Sequence, residues 1–248
     1  MFRFSLPLAL IACGSPTKVE PTTVLDPSPA LEASAAVQLD ALIGLVEQPM
    51  SGFPTSPECP SITPLLDDGE VLHERIIGDC ELSNGHLLSG SLERYDGPDG
   101  TWLIGSDFQV VDDDQMIFGL DGAIEITPTG SLWLVDAAAA LCGTHDWSCT
   151  DGVLALDLSY TVFPAEGYPA DYDATVSGTV VTERASMTLD GAWSVNIAQC
   201  PLEPLTGMLS IQQGEHHAIT HDGALACDGC AGWQVQGRAT DGLCGLTD

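Results

Sequence analysis

Basic residues are scarce in this chain, which has six lysines and arginines against 36 aspartates and glutamates. Lys18 is the one lysine. Because six cations cannot neutralise 36 carboxylates, most of the acidic side chains must be hydrated at the surface. The negative electrostatic field of such a surface repels the phosphates of nucleic acids, so we expect no nucleic-acid partner. Cationic partners and divalent metals remain compatible with the charge.

The sequence motifs of common enzyme classes are also missing. The chain lacks G-x-S-x-G, H-E-x-x-H, a phosphate-binding loop and a dinucleotide fingerprint. His145, Asp146 and Ser148 are close in sequence, but a catalytic triad joins distant segments in space. We therefore predict a non-enzymatic protein with no catalytic residues. The alternative is a hydrolase that combines His86, His145 or His221 with a distant serine and carboxylate.

The N-terminus carries a short apolar run. Residues 1–12 hold one positive charge and are too few to span a bilayer as a helix. They end in Leu10-Ile11-Ala12-Cys13, which is followed by Gly14 and resembles the lipobox of bacterial lipoprotein precursors. The resemblance implies removal of the signal peptide 1–12, acylation of Cys13 and a membrane anchor. Because Gly14 replaces the aspartate that retains such proteins at the inner membrane, it also implies the outer membrane of the cell envelope.

The cysteine count agrees with an exported protein. Nine cysteines are present, and removing the acylated Cys13 leaves eight, which suits four disulfides in an oxidising compartment. Proximity in sequence favours Cys59–Cys80 and Cys142–Cys149. The other four are expected to pair among themselves: Cys200, Cys227, Cys230 and Cys244.

A tether and a helix precede the main body. Residues 13–28 are rich in proline and small polar residues and lack apolar periodicity, which predicts a flexible lipidated tether. From 30 to 47 the apolar residues follow helical spacing, after a start at Ser28-Pro29 and before a stop at Pro49. We predict an amphipathic helix packed on the body, with its apolar stripe formed by Leu39, Leu42, Ile43 and Val46.

Beyond residue 50 the apolar period changes to two. The stretch 154–162 alternates without a break, and the segments at 193–197 and 233–235 do so over a shorter length. The predicted fold is mainly β, an antiparallel meander or sandwich of hairpins with one N-terminal amphipathic helix and disulfide bracing. Residues 29–248 would form a single domain, with a duplication into lobes 51–141 and 150–248 left open.

An Asp-Gly dipeptide recurs along this body. Asp121-Gly122, Asp190-Gly191 and Asp222-Gly223 are each followed by alanine, and Asp151-Gly152 and Asp241-Gly242 extend the series. Aspartate and glycine both tolerate positive φ, so these pairs predict tight hairpin turns.

Two groups of residues have metal-binding chemistry. His216, His217 and His221 precede Cys227 and Cys230, and such ligands suit zinc. Neighbouring histidines of a strand face opposite sides, however, and the cysteines are expected in disulfides, so we predict no metal site. A redox-active C-x-x-C lacks its usual βαβ context. The acidic loops at 67–70, 95–100 and 112–114 offer oxygen ligands for calcium without matching a known spacing, and turn formation is the simpler interpretation.

Five tryptophans could form a sugar-binding platform or a core. On alternating strands we predict core positions, because burying the large apolar ring is favourable. Trp147 is the expected exception, since it lies in the short loop between Cys142 and Cys149. The predicted function is a binding or structural module displayed on the membrane. A calcium-assisted module that binds carbohydrate or peptide is the alternative, and the partner stays open between protein and glycan.

Overall fold

The structure is a computed structural model that describes residues 26–47, 59, 61–67, 71–143, 147–164, 171–196, 198–200, 204, 206–222, 227, 230–240 and 242–244. Two helices come first, α1 (Ser28–Ala36) and α2 (Leu39–Glu47). The strands that follow are β1 (Ser61–Asp67), β2 (Val71–Ile77), β3 (Cys80–Glu81), β4 (Leu87–Gly97), β5 (Gly100–Asp112), β6 (Gln115–Thr129), β7 (Leu132–Cys142), β8 (Leu154–Pro164), β9 (Asp171–Val181), β10 (Ser186–Asn196), β11 (Thr206–Gln213), β12 (Glu215–Asp222), β13 (Cys230–Val235), β14 (Arg238–Ala239) and β15 (Leu243–Cys244).

These strands form one antiparallel sheet that follows the chain. Its order is β1-β2-β4-β5-β6-β7-β8-β9-β10-β11-β12-β13-β14, with β3 added beside β4 and β15 beside β13. β7 and β8 pair directly, with Leu141 opposite Leu154, so both halves of the chain belong to the same sheet. The predicted mainly-β antiparallel fold is confirmed, and of its two forms the meander is the one observed.

The sheet buries one of its faces, which we call the inner face. In β8 the side chains of Leu154, Leu156, Leu158, Tyr160 and Val162 are buried, while Asp157 and Ser159 between them are exposed on the outer face. The alternation predicted for 154–162 is therefore confirmed. Trp233 and Val235 of β13 are buried in the same way. Ile197 lies outside the described residues.

The helices cover the inner face. α2 contacts β5 and β6, whereas α1 contacts β11, and these strands are far apart in the sheet order. The sheet must therefore curve around the helical segment. The predicted stripe of Leu39, Leu42, Ile43 and Val46 is buried, and the segment is divided into two helices at 37–38. Pro49 lies outside the described residues.

One helical stretch, Ser28–Val46, has the length and hydropathy of a membrane-crossing segment. Its apolar side chains already have a buried environment in the protein, because Ala30, Ala33 and Val46 are fully buried against the rest of the core. The hydropathy of this stretch is thus explained by packing on the inner face.

Two carboxylates attach the helices to the sheet. Glu32 of α1 is buried, and its Oε2 accepts a hydrogen bond from Thr182 Oγ1 at 2.9 Å. Its Oε1 lies 3.1 Å from Arg184 Nη1. Asp40 of α2 accepts a hydrogen bond from the Tyr172 hydroxyl at 2.9 Å. Partial burial raises the pKa of the Asp40 carboxyl, and the hydrogen bond from Tyr172 opposes that change.

Four disulfides brace this body. Cys59 pairs with Cys80 and Cys142 with Cys149, as predicted from sequence proximity. The last four cysteines pair among themselves, also as predicted, in the bridges Cys200–Cys227 and Cys230–Cys244. Cys13 lies outside the described residues.

The prediction that Asp-Gly pairs mark hairpin turns is wrong at two positions. Asp121-Gly122 lies inside β6 and Asp190-Gly191 inside β10. Gly122 has φ +120°, and a Cβ there would collide with the backbone of β7, so glycine is needed for close strand contact instead of chain reversal. Gly152 does end a turn, the 3₁₀ turn Cys149–Asp151. Gly223 and Asp241 lie outside the described residues, while Asp222 ends β12.

The outer face carries much of the negative charge. Asp136 accepts a hydrogen bond from Ser159 Oγ on the neighbouring strand, and Asp173 accepts one from Ser194 Oγ in the same way. Glu125 lies directly opposite Asp136 on the neighbouring strand. Cross-strand serines thus solvate part of this charge, and water must solvate the rest.

Candidate binding surfaces

The cysteines of the C-x-x-C segment are not available as metal ligands or as a redox pair. Cys227 is bonded to Cys200, and Cys230 is bonded to Cys244. His216 is exposed, with its Nε2 2.9 Å from Ser210 Oγ, whereas His217 points to the inner face and is 5% exposed. The two histidines therefore face opposite sides, as expected for a strand. In the part of the chain that is described, no three His, Cys, Asp or Glu side chains are placed to hold a metal ion.

His217 instead belongs to the core. Trp233 Nε1 donates a hydrogen bond to His217 Nδ1 at 3.3 Å, and the two rings stack with centroids 6.0 Å apart. Because Nδ1 accepts, the neutral ring carries its proton on Nε2. Burial lowers the pKa of His217, against the attraction of Glu215. A neutral histidine is thus part of the contact between β12 and β13.

This histidine makes stability depend on pH. The pKa of His217 in the folded protein lies below its unfolded value of about 6.5, so the unfolded chain binds the proton more readily. Stability from this residue is full above pH ~6.5 and is lost as the pH falls through the folded pKa. We expect His217→Gln to flatten the dependence of unfolding free energy on pH between about 7 and 5, as measured in urea.

His216→Gln is the matched control for that measurement, because this exposed neighbour has no core contact. The unfolding free energy of this variant should depend on pH in the same way as that of the unaltered protein. Equal flattening in both variants, or in neither, would contradict a role for the buried ring.

The acidic loops form turns. Asp113 and Asp114 link β5 to β6 with φ of 45° and 67°, and Asp112 Oδ1 lies 3.6 Å from His86 Nε2. Before the β4–β5 turn, Asp96 Oδ1 accepts a hydrogen bond from Thr101 Oγ1 at 3.0 Å. Residues 68–70 lie outside the described part. The described acidic residues of these loops therefore lie in or beside turns, which agrees with the simpler interpretation of the sequence.

The loop that contains His145, Asp146 and Ser148 is described from residue 147 onward, and there Ser148 has a local structural role. Thr150 N donates to Ser148 Oγ, and Ser148 N donates to Asp151 Oδ2, both at 3.2 Å, which forms a capping box. His145 and Asp146 lie outside the described residues. His86 precedes β4 and His221 belongs to β12, so these candidates are far apart in the sheet order.

Trp147 is buried, and the expectation that it would be the exposed exception is wrong. Its side chain is 7% exposed, and Nε1 donates to the carbonyl of Gly152 at 2.9 Å. The Cys142–Cys149 bridge joins the two ends of the segment that contains Trp147, and the ring belongs to the hydrophobic core. Trp133 and Trp193 are partly buried against the core, while Trp102 stacks on Tyr95 with centroids 5.0 Å apart.

The inner face contains an unusual polar atom at Tyr160. The residue is 2% exposed and packs edge to face with Trp193, at 6.4 Å between centroids. Among the described residues its hydroxyl has no hydrogen-bond partner. Burial raises the pKa of this phenol, so it is neutral at physiological pH.

A small, shallow groove of about 80 Å³ opens on the outer face across β5, β6 and β7. Gly119, Ala140 and Cys142 form its floor, with Met116 and Val153 beside them. The exposed carboxylates of Asp107 and Asp121 stand at its rim, and Asp107 N donates to Asp121 Oδ1 at 3.3 Å. Sequence reasoning missed this groove, because a bulge between Gly105 and Phe108 interrupts the period of two there.

Similarity to known proteins gives no guide to these surfaces. We compared the chain with protein-family models, with curated proteins and with solved structures. None of the three comparisons finds a match.

Proposed function

We propose that this protein is a non-enzymatic binding module of the cell envelope, held at the outer membrane by a lipid on Cys13. The observation that supports this most is the cysteine pairing. The other eight cysteines bond to one another, so Cys13 has no disulfide partner left in the chain. An odd cysteine beside a lipobox-like sequence, in a chain otherwise fully oxidised, suits acylation.

The surface chemistry supports binding over catalysis. Of the three candidate catalytic histidines, His86 and His221 lie within the described residues, far apart in the sheet order, and neither is among the residues that line the groove. The groove on the outer face has an apolar floor bordered by two carboxylates, and the described residues that line it include no serine, threonine, histidine or lysine. Such a surface is suited to recognising a partner of complementary charge.

The lipid attachment is tested by Cys13→Ser. We expect the unaltered protein in the membrane fraction, soluble only after detergent, because its acyl chains partition into the bilayer. The variant should appear in the soluble fraction with its four disulfides formed. A variant that still sediments with membranes, or an unaltered protein that is soluble without detergent, would contradict the proposed anchor.

A further inference from the structure

The groove on the outer face is shaped by small residues. Gly119 lacks a side chain, and a Cβ there would lie 3.0 Å from Met116 Sδ. Ala140 contributes a methyl group to the floor, and Cys142 contributes a sulfur that is itself held in a disulfide. A larger side chain at either small position would fill the space. The opening is therefore fixed by the strands and is a preformed feature of the sheet.

The walls of the groove are apolar and reach solvent. Val153 is 42% exposed, and the nearby end of the sheet also presents Leu87 and Ile117 as exposed aliphatic side chains. Exposed apolar side chains beside a groove are typical of interaction sites.

The charge at the rim restricts the partner. Asp107 and Asp121 are exposed, and no lysine or arginine is among the described residues that line the groove. The whole chain has six basic residues against 36 acidic ones, so a second copy would be repelled, and so would an anionic bilayer surface. A matching partner must place positive charge beside an apolar side chain.

We propose that the groove binds a segment of another protein in which an aliphatic side chain lies next to lysine or arginine. The aliphatic group occupies the floor over Gly119 and Ala140. The cation pairs with the carboxylates of Asp107 and Asp121. This inference rests on the proposed role as a binding module and names the chemistry of its partner. It does not depend on the lipid at Cys13.

The test uses the full chain, extracted in detergent with its disulfides intact, and a labelled peptide of alternating leucine and lysine. Binding is followed by fluorescence anisotropy at about 0.15 M salt, with detergent alone as the blank. We expect Asp107→Asn with Asp121→Asn to weaken binding about tenfold, because both charges leave the rim. Asparagine tolerates the left-handed backbone of Asp107, φ 48°, and can still accept the hydrogen bond made by Asp121.

Asp157→Asn with Asp190→Asn is the matched control, since both residues are exposed on the outer face away from the groove. This pair removes the same charge and should leave affinity within about twofold. A peptide of alternating serine and lysine should bind the unaltered protein about tenfold more weakly, because it leaves the apolar floor uncovered.

Three outcomes would overturn the proposal: no binding of the leucine-lysine peptide, equal weakening by the two double variants, or equal binding of the serine-lysine peptide. The second would mean attraction to the total charge of the protein. None of these outcomes bears on the Cys13→Ser fractionation, so failure of this inference and failure of the proposed membrane attachment can be told apart.

Discussion

Removing the Cys200–Cys227 bridge by a double substitution to serine should lower the free energy of unfolding by about 3.5 kcal/mol. The bridge joins residues 27 apart in sequence, so it strongly restricts the unfolded chain. Cys142→Ser with Cys149→Ser opens a separation of 7 and should cost about 2.4 kcal/mol by the same argument. Urea unfolding followed by tryptophan fluorescence measures both values.

Reduction of all four bridges should have a still larger effect. Domains of ordinary stability unfold at a cost of about 5–15 kcal/mol, and each bridge contributes about 2–4 kcal/mol. The repulsion among 36 acidic side chains also lowers the free energy of unfolding, as reduction does. We therefore expect the reduced protein to be unfolded at low salt. A reduced protein that keeps its unfolding midpoint would show that the bridges do not hold this sheet together.

The second large effect is expected at Phe108. This side chain is fully buried on the inner face of β5 and packs edge to face with Phe118, at 6.1 Å between centroids. Phe108→Ala should cost about 3–5 kcal/mol, because it removes buried apolar area and leaves a cavity.

Phe163→Ala is the matched control, which tests whether only one face of the sheet is buried. Phe163 is 46% exposed on the outer face of β8, so the same chemical change should cost less than about 1 kcal/mol. Equal losses for the two variants would contradict burial of a single face. Both are measured by urea unfolding under the same conditions.

The elements that could be predicted from sequence are those set by local pattern. In the stretch 154–162 large apolar residues alternate strictly with small or polar ones. A strand with one buried face is the structure that buries all of the leucines in this stretch. The helical stripe at Leu39, Leu42, Ile43 and Val46 is equally local. Proximity in sequence predicted the two bridges Cys59–Cys80 and Cys142–Cys149, whereas it left the pairing among the last four cysteines open.

The predictions that failed concern contacts across the sheet. Gly122 looks like a turn residue in sequence, and only its approach to Ala138 and Ala139 on β7 explains its place inside a strand. Burial of Trp147 depends on its packing against core side chains from other parts of the chain. Both outcomes depend on residues that a local pattern does not bring together.

The candidate groove could not be predicted from the sequence for the same reason. Asp107 and Asp121 are 14 residues apart and meet because β5 and β6 pair through a bulge. Glu32 likewise reaches Thr182 across 150 residues. Sequence reasoning identified an acidic, apolar-patterned sheet but could not say which carboxylates border an apolar floor.

We propose that this chain matures outside the cytoplasm, with Cys13 acylated and its other eight cysteines in bridges. The intact mass of the membrane-extracted protein after thiol alkylation, with and without prior reduction, tests this proposal. We expect a chain that begins at Cys13 and carries acyl groups, with no alkylated thiol before reduction and eight after it. A chain that retains Met1 and exposes nine reactive thiols without reduction would contradict it.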